Sequence, residues 1–316
     1  MKLIAVIVNY RTPALTEKAA EAAINDLRSY TESWQILIVE NNSQDGSFEY
    51  LQSAIVRNRN SDNQWRNVSI VQSGHNGGFG AGNNIAIQKF LDTDREPEYF
   101  YFLNSDAFPE DNAIMKLVTH IQSNPNTGIV GSYIHGVDCT PHVTAFRFPT
   151  IFSEFEGSIR LGIISKLLKR YIVPMGIPES TCQVDWLAGA SMLVRTSVLK
   201  EIGCFDEKFF LYFEETDLCF RARKAGWLTE YVRTSSVAHV GSASTGMKKW
   251  KRIPDYWLDS RKHFFVKNYG SVYFIFATLV RIAGQLAWSI RVTVEKKDNP
   301  DPDRFTLDLI RHFFRA

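Results

Sequence analysis

The chain has 316 residues, 45% hydrophobic and 22% charged, with a formal net charge of +2. That composition is ordinary for a globular protein of one large domain, or one domain with an appendage, and so small a charge argues against a general nucleic-acid binder. The charge is unevenly placed: from Gly241 onward 14 Lys and Arg face 7 Asp and Glu, a net of +7, which leaves residues 1–240 at −5; an acidic body with a basic end suits anionic lipid or phosphate at that end.

The chain opens on the apolar run "LIAVIV", without a charged segment and long apolar stretch before it, so no signal peptide is expected. Residues 3–8, 35–40, 67–73 and 99–103 are short apolar runs bounded by polar or turn residues, and read as buried strands. Helical patterns lie between them. Thr12-Pro13 starts the first, with Leu15, Ala19, Ala23 and Leu27 on one face; Asp45-Gly46 turns the chain into a second, carrying Phe48, Leu51 and Ile55; "GGFGAGNNIAIQKFL" is a glycine-rich turn entering a third. This alternation predicts an α/β fold with a mainly parallel sheet covered on both faces. After "GIVGSY" (128–133) the regularity fails, and residues 134–184 read as an insertion. It returns with "VDWLAGASMLVR" as a strand, "EETDLCFRARKAG" as a helix with acids at its start and bases and Gly226 at its end, and "WLTEYVRTSSVAHV" as two short strands. Residues 271–290 are strongly apolar, but Arg281 and Gln285 interrupt the run; a helix lying on a membrane and a helix packed on the body fit equally. The four cysteines form no CxxC pair and are expected as reduced, mostly buried thiols of a cytosolic protein.

Chemistry-bearing residues collect at predicted strand ends. "YFYFLNSDAF" (99–108) ends a buried strand on Asn104, Ser105 and Asp106, and a carboxylate at a strand end faces the ligand crevice of an open α/β sheet, where it can hold a hard cation. His239 closes "SSVAHV" and is either a second ligand or a satisfied core histidine. Glu214, Glu215 and Asp217 begin a helix after four aromatics; they serve the helix dipole, or one is a general base whose pKa is raised by apolar neighbours. Asn9, Tyr10 and Arg11 after the first strand, and Glu40, Asn41, Asn42 and Ser43 after the second, suit a base and ribose, or are turn chemistry. Asn76, Gly78 and Asn83 belong to the glycine-rich turn, which follows the third strand; no glycine follows the first, which argues against a nicotinamide dehydrogenase and against a nucleotidyltransferase.

In this order "VIVNYR", "VENNSQDGS", "NGGFGAGNN", "FLNSDA", "WLAGASMLVR" and "GCFDEKFFLYFEETDLCFRARKAGW" resemble the inverting glycosyltransferases of family 2, with the GT-A fold, and among them bacterial rhamnosyltransferases of surface-polysaccharide synthesis. The likeness covers residue 3 to about 245, and implies a catalytic domain over 1–245, with 134–184 on the acceptor side, and a basic, amphipathic helical region over 246–316. It implies a divalent cation, Mn²⁺ or Mg²⁺, held by Asp106 and His239. Asn104 stands where the family's metal motif has its leading acid, and with Ser105 would lie near ribose or diphosphate. Glu215 matches the catalytic base, Glu40 an aspartate that reads a pyrimidine, and Trp186, Gly189, Glu214 and Asp217 the acceptor side. Ser244, Lys248, Lys249 and Trp250 would form a loop over the diphosphate, or a solvated linker. The implied donor is a dTDP- or UDP-linked sugar, L-rhamnose first, and the acceptor a glycan or polyprenyl-linked saccharide. A cytoplasmic protein is expected, peripheral at the membrane or dimeric through its last apolar helix. The competing reading is a non-catalytic domain of the same build that holds a nucleotide or glycan.

Overall fold

The computed structural model describes residues 2–241 and 250–315. Its first half is the predicted alternation: β1 (Leu3–Asn9), α1 (Pro13–Leu27), β2 (Trp34–Glu40), α2 (Ser47–Ser61), β3 (Val68–Gln72), α3 (Gly78–Phe90) and β4 (Tyr99–Asn104). Then follow β5 (Ala107–Glu110), α4 (Ala113–Ser123), β6 (Thr127–His135), β7 (Ala145–Phe146), α5 (Ile151–Ile159), α6 (Gly162–Leu167), a 3₁₀ turn at Lys169–Tyr171, β8 (Cys182–Val184), β9 (Trp186–Leu187), β10 (Ser191–Arg195), α7 (Thr196–Ile202), α8 (Glu214–Lys224) and β11 (Leu228–His239). Three helices end the chain: α9 (Asp255–Tyr269), α10 (Ser271–Glu295) and α11 (Phe305–Phe314).

One nine-stranded sheet runs β3-β2-β1-β4-β10-β6-β11-β5, with β8 also on β11. The β3-β2-β1-β4 half is parallel; β10 is antiparallel to both neighbours, and β6 and β11 are parallel again. Alternation along β1 explains the two covered faces: Leu3, Ala5 and Ile7 join the core under α1 and α4, while Ile4 and Val6 join the core under α3, α7 and α8. This is the GT-A arrangement that the sequence predicts.

Two predicted elements differ. The two short strands over 227–240 are one strand, β11, whose register on β6 jumps between Val232 and Ser236. The polar residues Arg233 to Ser235 form that irregularity, and a bulge reads in sequence as a break. Conversely "VDWLAGASMLVR" is not one strand, because Ala188-Gly189-Ala190 parts β9, in a two-stranded sheet with β7, from β10. The thiols are all free, yet only Cys219 is buried; Cys182 and Cys204 are half-buried and Cys139 is exposed.

The C-terminal helices are fastened to the insertion. Arg261 of α9, 1% exposed, donates from Nε and Nη2 to Glu154 Oε2 of α5 at 2.9 and 2.5 Å and from Nη1 to Thr278 Oγ1 of α10 at 3.1 Å; Arg281 reaches the same Oε2 at 3.2 Å. A buried carboxylate with two guanidiniums fixes orientation, since losing one partner leaves a costly buried charge. Gly284 of α10 lets α5 approach closely, because a methyl there would meet Ser158. The expected boundary at 245/246 therefore separates regions that share a buried ion pair. By length and composition α10 is apolar enough to cross a membrane, and 33% of its most apolar window is buried against the body.

Candidate active site

β4 ends beside β1, and the chain turns at Ser105-Asp106 into β5, which pairs antiparallel with β11 so that Ala107 faces His239. That pairing, together with Val240 N–H donating to the Asp106 carbonyl at 3.0 Å, brings two side chains 133 residues apart in sequence into contact. His239 Nε2 lies 3.0 Å from Asp106 Oδ1 and 3.3 Å from Asn104 Nδ2, and Gly241 N–H donates to Asp106 Oδ2 at 3.1 Å. Asp106 is 5% exposed, so its charge is held in place by these donors rather than by bulk water.

A second wall is the start of α8. Tyr212 and Phe213 are consecutive non-glycine residues with φ of 70° and 71°, an uncommon backbone state that delivers the chain into Glu214-Glu215. Glu215 Oε1 accepts from Gly189 N–H at 3.0 Å. Position 189 has no room for a side chain, because a methyl there would sit 2.6 Å from Glu215 Oε1. Burial, with the neighbouring Glu215 charge, pushes the Glu214 pKa well above the usual carboxylate range; burial raises Glu215 as well, tempered by the Gly189 hydrogen bond. Glu214 Oε2 is buried without a hydrogen-bond partner among the described residues. The Gly189 hydrogen bond favours the charged form of Glu215, and no such donor reaches Glu214 Oε2 among the described residues.

Both walls line one cleft of about 640 Å³. Of the predicted residues, Tyr10, Asn76, Gly78, Asn104, Ser105, Asp106, Gly189, Glu214, Glu215 and His239 line it. Gly78 has φ +87°, and a Cβ would overlap the Phe210 carbonyl, so only glycine lets the aromatic loop 206–213 seat on α3. The other described candidates do not line the cleft. Asn9 is fully buried and takes the Thr16 hydroxyl at 2.7 Å; Glu40 accepts Ser43 N–H at 2.8 Å; Asn83 donates to the Phe79 carbonyl at 3.0 Å. Arg11 turns onto Ser43 and its own neighbour Tyr10, and Asn42 is a turn residue with φ 56°. Trp186 stacks on Phe146 with centroids 4.1 Å apart. Asp217 is corrected most sharply: it points away from the cleft into Arg221 and Lys267, each at 2.8 Å. Trp250 stands edge-on to Tyr212, a cleft residue, at 5.6 Å; Ser244, Lys248 and Lys249 lie outside the described residues.

Sequence reasoning missed Phe79, His142, Tyr212 and Tyr256, all on the cleft. Asn41, from the polar turn after the second strand, does line the cleft: its Nδ2 donates to Asn76 Oδ1 at 3.0 Å and to the Gly78 carbonyl at 3.1 Å, joining that turn to the glycine-rich one.

Residues 4–179 match the family model "Glycosyl transferase family 2", more than half the chain. The chain belongs to glycosyltransferase family 2. Among curated relatives, the N-acetylglucosaminyl-diphospho-decaprenol L-rhamnosyltransferase of Mycobacterium tuberculosis is 28% identical over 223 residues, 67% of this chain and 68% of the relative. The rhamnosyltransferase WbbL of Escherichia coli is 30% identical over 164 residues, 51% of this chain and 60% of the relative. A mannosyltransferase from Pyrobaculum calidifontis, solved with GDP-Man and Mn²⁺, superposes with a TM-score of 0.57 at 12% identity, covering 99% of this chain and 79% of that one. This last likeness concerns the fold. As a family 2 member the chain is a glycosyltransferase whose curated relatives include rhamnosyltransferases.

The donor set of Asp106 and His239 is one carboxylate oxygen, which suits Mn²⁺ or Mg²⁺, and one imidazole nitrogen, which suits Mn²⁺ better than Mg²⁺. Among the described residues no group of three or more His, Cys, Asp or Glu could hold a metal. Two protein donors fit a cation that takes its remaining ligands from a phosphate-bearing substrate and water, and do not fit a closed structural site.

Proposed function

We propose that this protein is a metal-dependent, inverting glycosyltransferase of the cytoplasm that moves L-rhamnose from dTDP-rhamnose to a saccharide carried on a polyprenyl diphosphate, in cell-surface polysaccharide synthesis. Two relatives named as rhamnosyltransferases, one of them for a decaprenol-linked acceptor, support the sugar and the acceptor class. The observation that carries the reading is the placing of Asp106 with His239 on one wall of the cleft and Glu215 on the other.

In this reading residues 1–245 bind the donor and do the chemistry, 134–184 shape the acceptor side, and 246–316 support it. Tyr10, Asn76, Gly78, Asn104 and Ser105 would bind the nucleotide and diphosphate. Asp106 and His239 would hold the cation, which when bound offsets negative charge on the departing diphosphate. Glu215, oriented by Gly189 N–H, takes the proton from the acceptor hydroxyl. The acceptor's hydroxyl oxygen attacks the anomeric carbon from the side opposite the nucleotide, the bond to the diphosphate breaks, and the configuration inverts in one displacement. Glu214, keeping its own proton, puts no second negative charge beside the base. A base needs a pKa lifted toward neutrality, and burial lifts Glu215 in that direction.

The test is a thermal-shift panel of dTDP-rhamnose, dTDP-glucose, UDP-glucose and UDP-galactose, each with and without Mn²⁺. A ligand that binds only the native state raises the melting temperature. The largest rise is expected with dTDP-rhamnose and Mn²⁺ together. A larger rise with another sugar overturns the donor, and one indifferent to Mn²⁺ and to EDTA overturns the metal. Retained anomeric configuration in the product, read by NMR, overturns the inverting mechanism.

A further inference from the structure

The insertion carries a surface that the cleft does not use. Between residues 157 and 178 there are four basic residues, Arg160, Lys166, Lys169 and Arg170, and no acidic one. Arg160 is committed to an ion pair with Asp301. Lys166, Lys169 and Arg170 are exposed and form no ion pair among the described residues. Ile163, Lys166, Leu167 and Arg170 follow one another at i, i+3, i+4 and i+7, so α6 and its 3₁₀ turn present them on one side. On that side Ile163 is 71% exposed and Leu167 is 79% exposed. Isolated exposed leucines are common, but here the apolar residues alternate with unpaired bases on an element that buries none of its own residues.

This element adjoins a second of the same character. α5, which leads into α6, packs along α10: Ser158 lies against Gly284, and Arg291 of α10 donates to the carbonyls of Ile159 and Arg160 at 3.4 and 3.1 Å. In that same half of α10 Leu286, Ile290 and Val294 are exposed at 52%, 65% and 76%. α5, α9 and α11 pack on the other sides of α10 and leave these residues exposed. Apolar side chains mixed with lysine and arginine, the one acid of this half of α10, Glu295, being paired with Arg291 and Lys297, match the boundary of an anionic bilayer, where aliphatic groups enter the acyl region and basic heads stay with the phosphates. A second protein copy would place Lys166, Lys169 and Arg170 against themselves across a two-fold axis, a like-charge contact that opposes pairing.

We infer that α6, its following turn and the exposed C-terminal half of α10 form a docking surface for an anionic lipid bilayer. This surface is separate from the cleft, so its test does not depend on the identity of donor or acceptor. It also predicts which part of the insertion faces lipid, because β7 leads from cleft residues Val143 and Thr144 into α5 and then α6.

The experiment is co-sedimentation of the full chain with vesicles of phosphatidylcholine and phosphatidylglycerol, against vesicles of phosphatidylcholine alone, in low and high salt. The expected result is binding to the anionic vesicles, weakened by salt. Ile163→Asp with Leu167→Asp, and separately Lys166→Glu with Lys169→Glu and Arg170→Glu, should each weaken it by about tenfold or more, since each exposed base near an anionic surface contributes appreciably. Because these side chains are exposed, the melting temperature of both variants should stay unchanged. Absence of binding by the wild-type chain, or binding that neither variant weakens, overturns the inference. So does a dimer, measured by light scattering, that the aspartate variant dissociates while vesicle binding persists.

Discussion

Asp106 and Glu214 are both more than nine-tenths buried on the same cleft, yet their surroundings are opposite. Asp106 receives a backbone N–H from Gly241 and faces the His239 imidazole, with the Asn104 amide beside that ring. Glu214 has an oxygen without a hydrogen-bond partner and a second carboxylate next to it in sequence. One wall is furnished to keep negative charge, and the other to hold a proton. The difference teaches that carboxylate position alone does not assign chemistry; the donors around it do.

The comparison breaks most completely at the proton-accepting wall. Glu215→Gln keeps the shape and removes the base, so transfer should fall by about 10²–10⁴-fold, with donor affinity by calorimetry unchanged. Loss of donor affinity instead would move Glu215 to a binding role. On the charge-keeping wall, Asp106→Ala should weaken Mn²⁺-dependent donor binding by about a hundredfold, the upper end of what damage to a metal site costs. Full activity of this variant in EDTA would refute the assignment. A smaller effect sharpens the geometry: Gly189→Ala puts a methyl 2.6 Å from Glu215 Oε1 and must displace the base. A fall of about tenfold in kcat with little change in donor affinity is expected, because misplacing a reacting group slows chemistry before it weakens binding. An unchanged kcat would mean that Glu215 does not act from the position seen here.

The same two walls show how far sequence reaches. β1 to β4 were legible because each strand is a continuous apolar run and each helix repeats its apolar face, and these periodicities are local. Asp106 and Glu215 were legible as candidates because a strand ending on a carboxylate and a helix opening on acids are local too. The pairing of Asp106 with His239 came only through the resemblance, since it depends on β5, a four-residue strand containing a proline, and that of Glu215 with Gly189 had no signal, since it depends on a loop that interrupts an apparent strand. Asp217 shows the same limit from the other side. It shares a helix start with Glu214 and Glu215, but α9 supplies Lys267 and so draws it away from the cleft. Tyr212 and Phe213 carry positive φ without being glycine, and no residue type announces that. The insertion gave no pattern because α5, α6 and the 3₁₀ turn are each too short to establish one.

The smallest expected effect separates the two acids of the proton-holding wall by their pH dependence. Glu214 has a folded-state pKa raised well above its ordinary value by burial and by the adjacent charge. Where the unfolded chain has already released this proton and the folded chain has not, the folded state binds more protons, so stability falls as pH rises. The decline begins near the ordinary glutamate pKa of about 4.3 and ends once the folded group has also titrated. Glu214→Gln removes the titration, so its stability relative to wild type should improve steadily from mildly acidic to mildly basic pH, read from urea midpoints across that range. Its transfer rate should still rise with pH through the raised pKa of Glu215, because the base itself is intact. If Glu214→Gln abolishes the acid limb of the rate profile, the proton is accepted at Glu214, and the roles of the two carboxylates are exchanged.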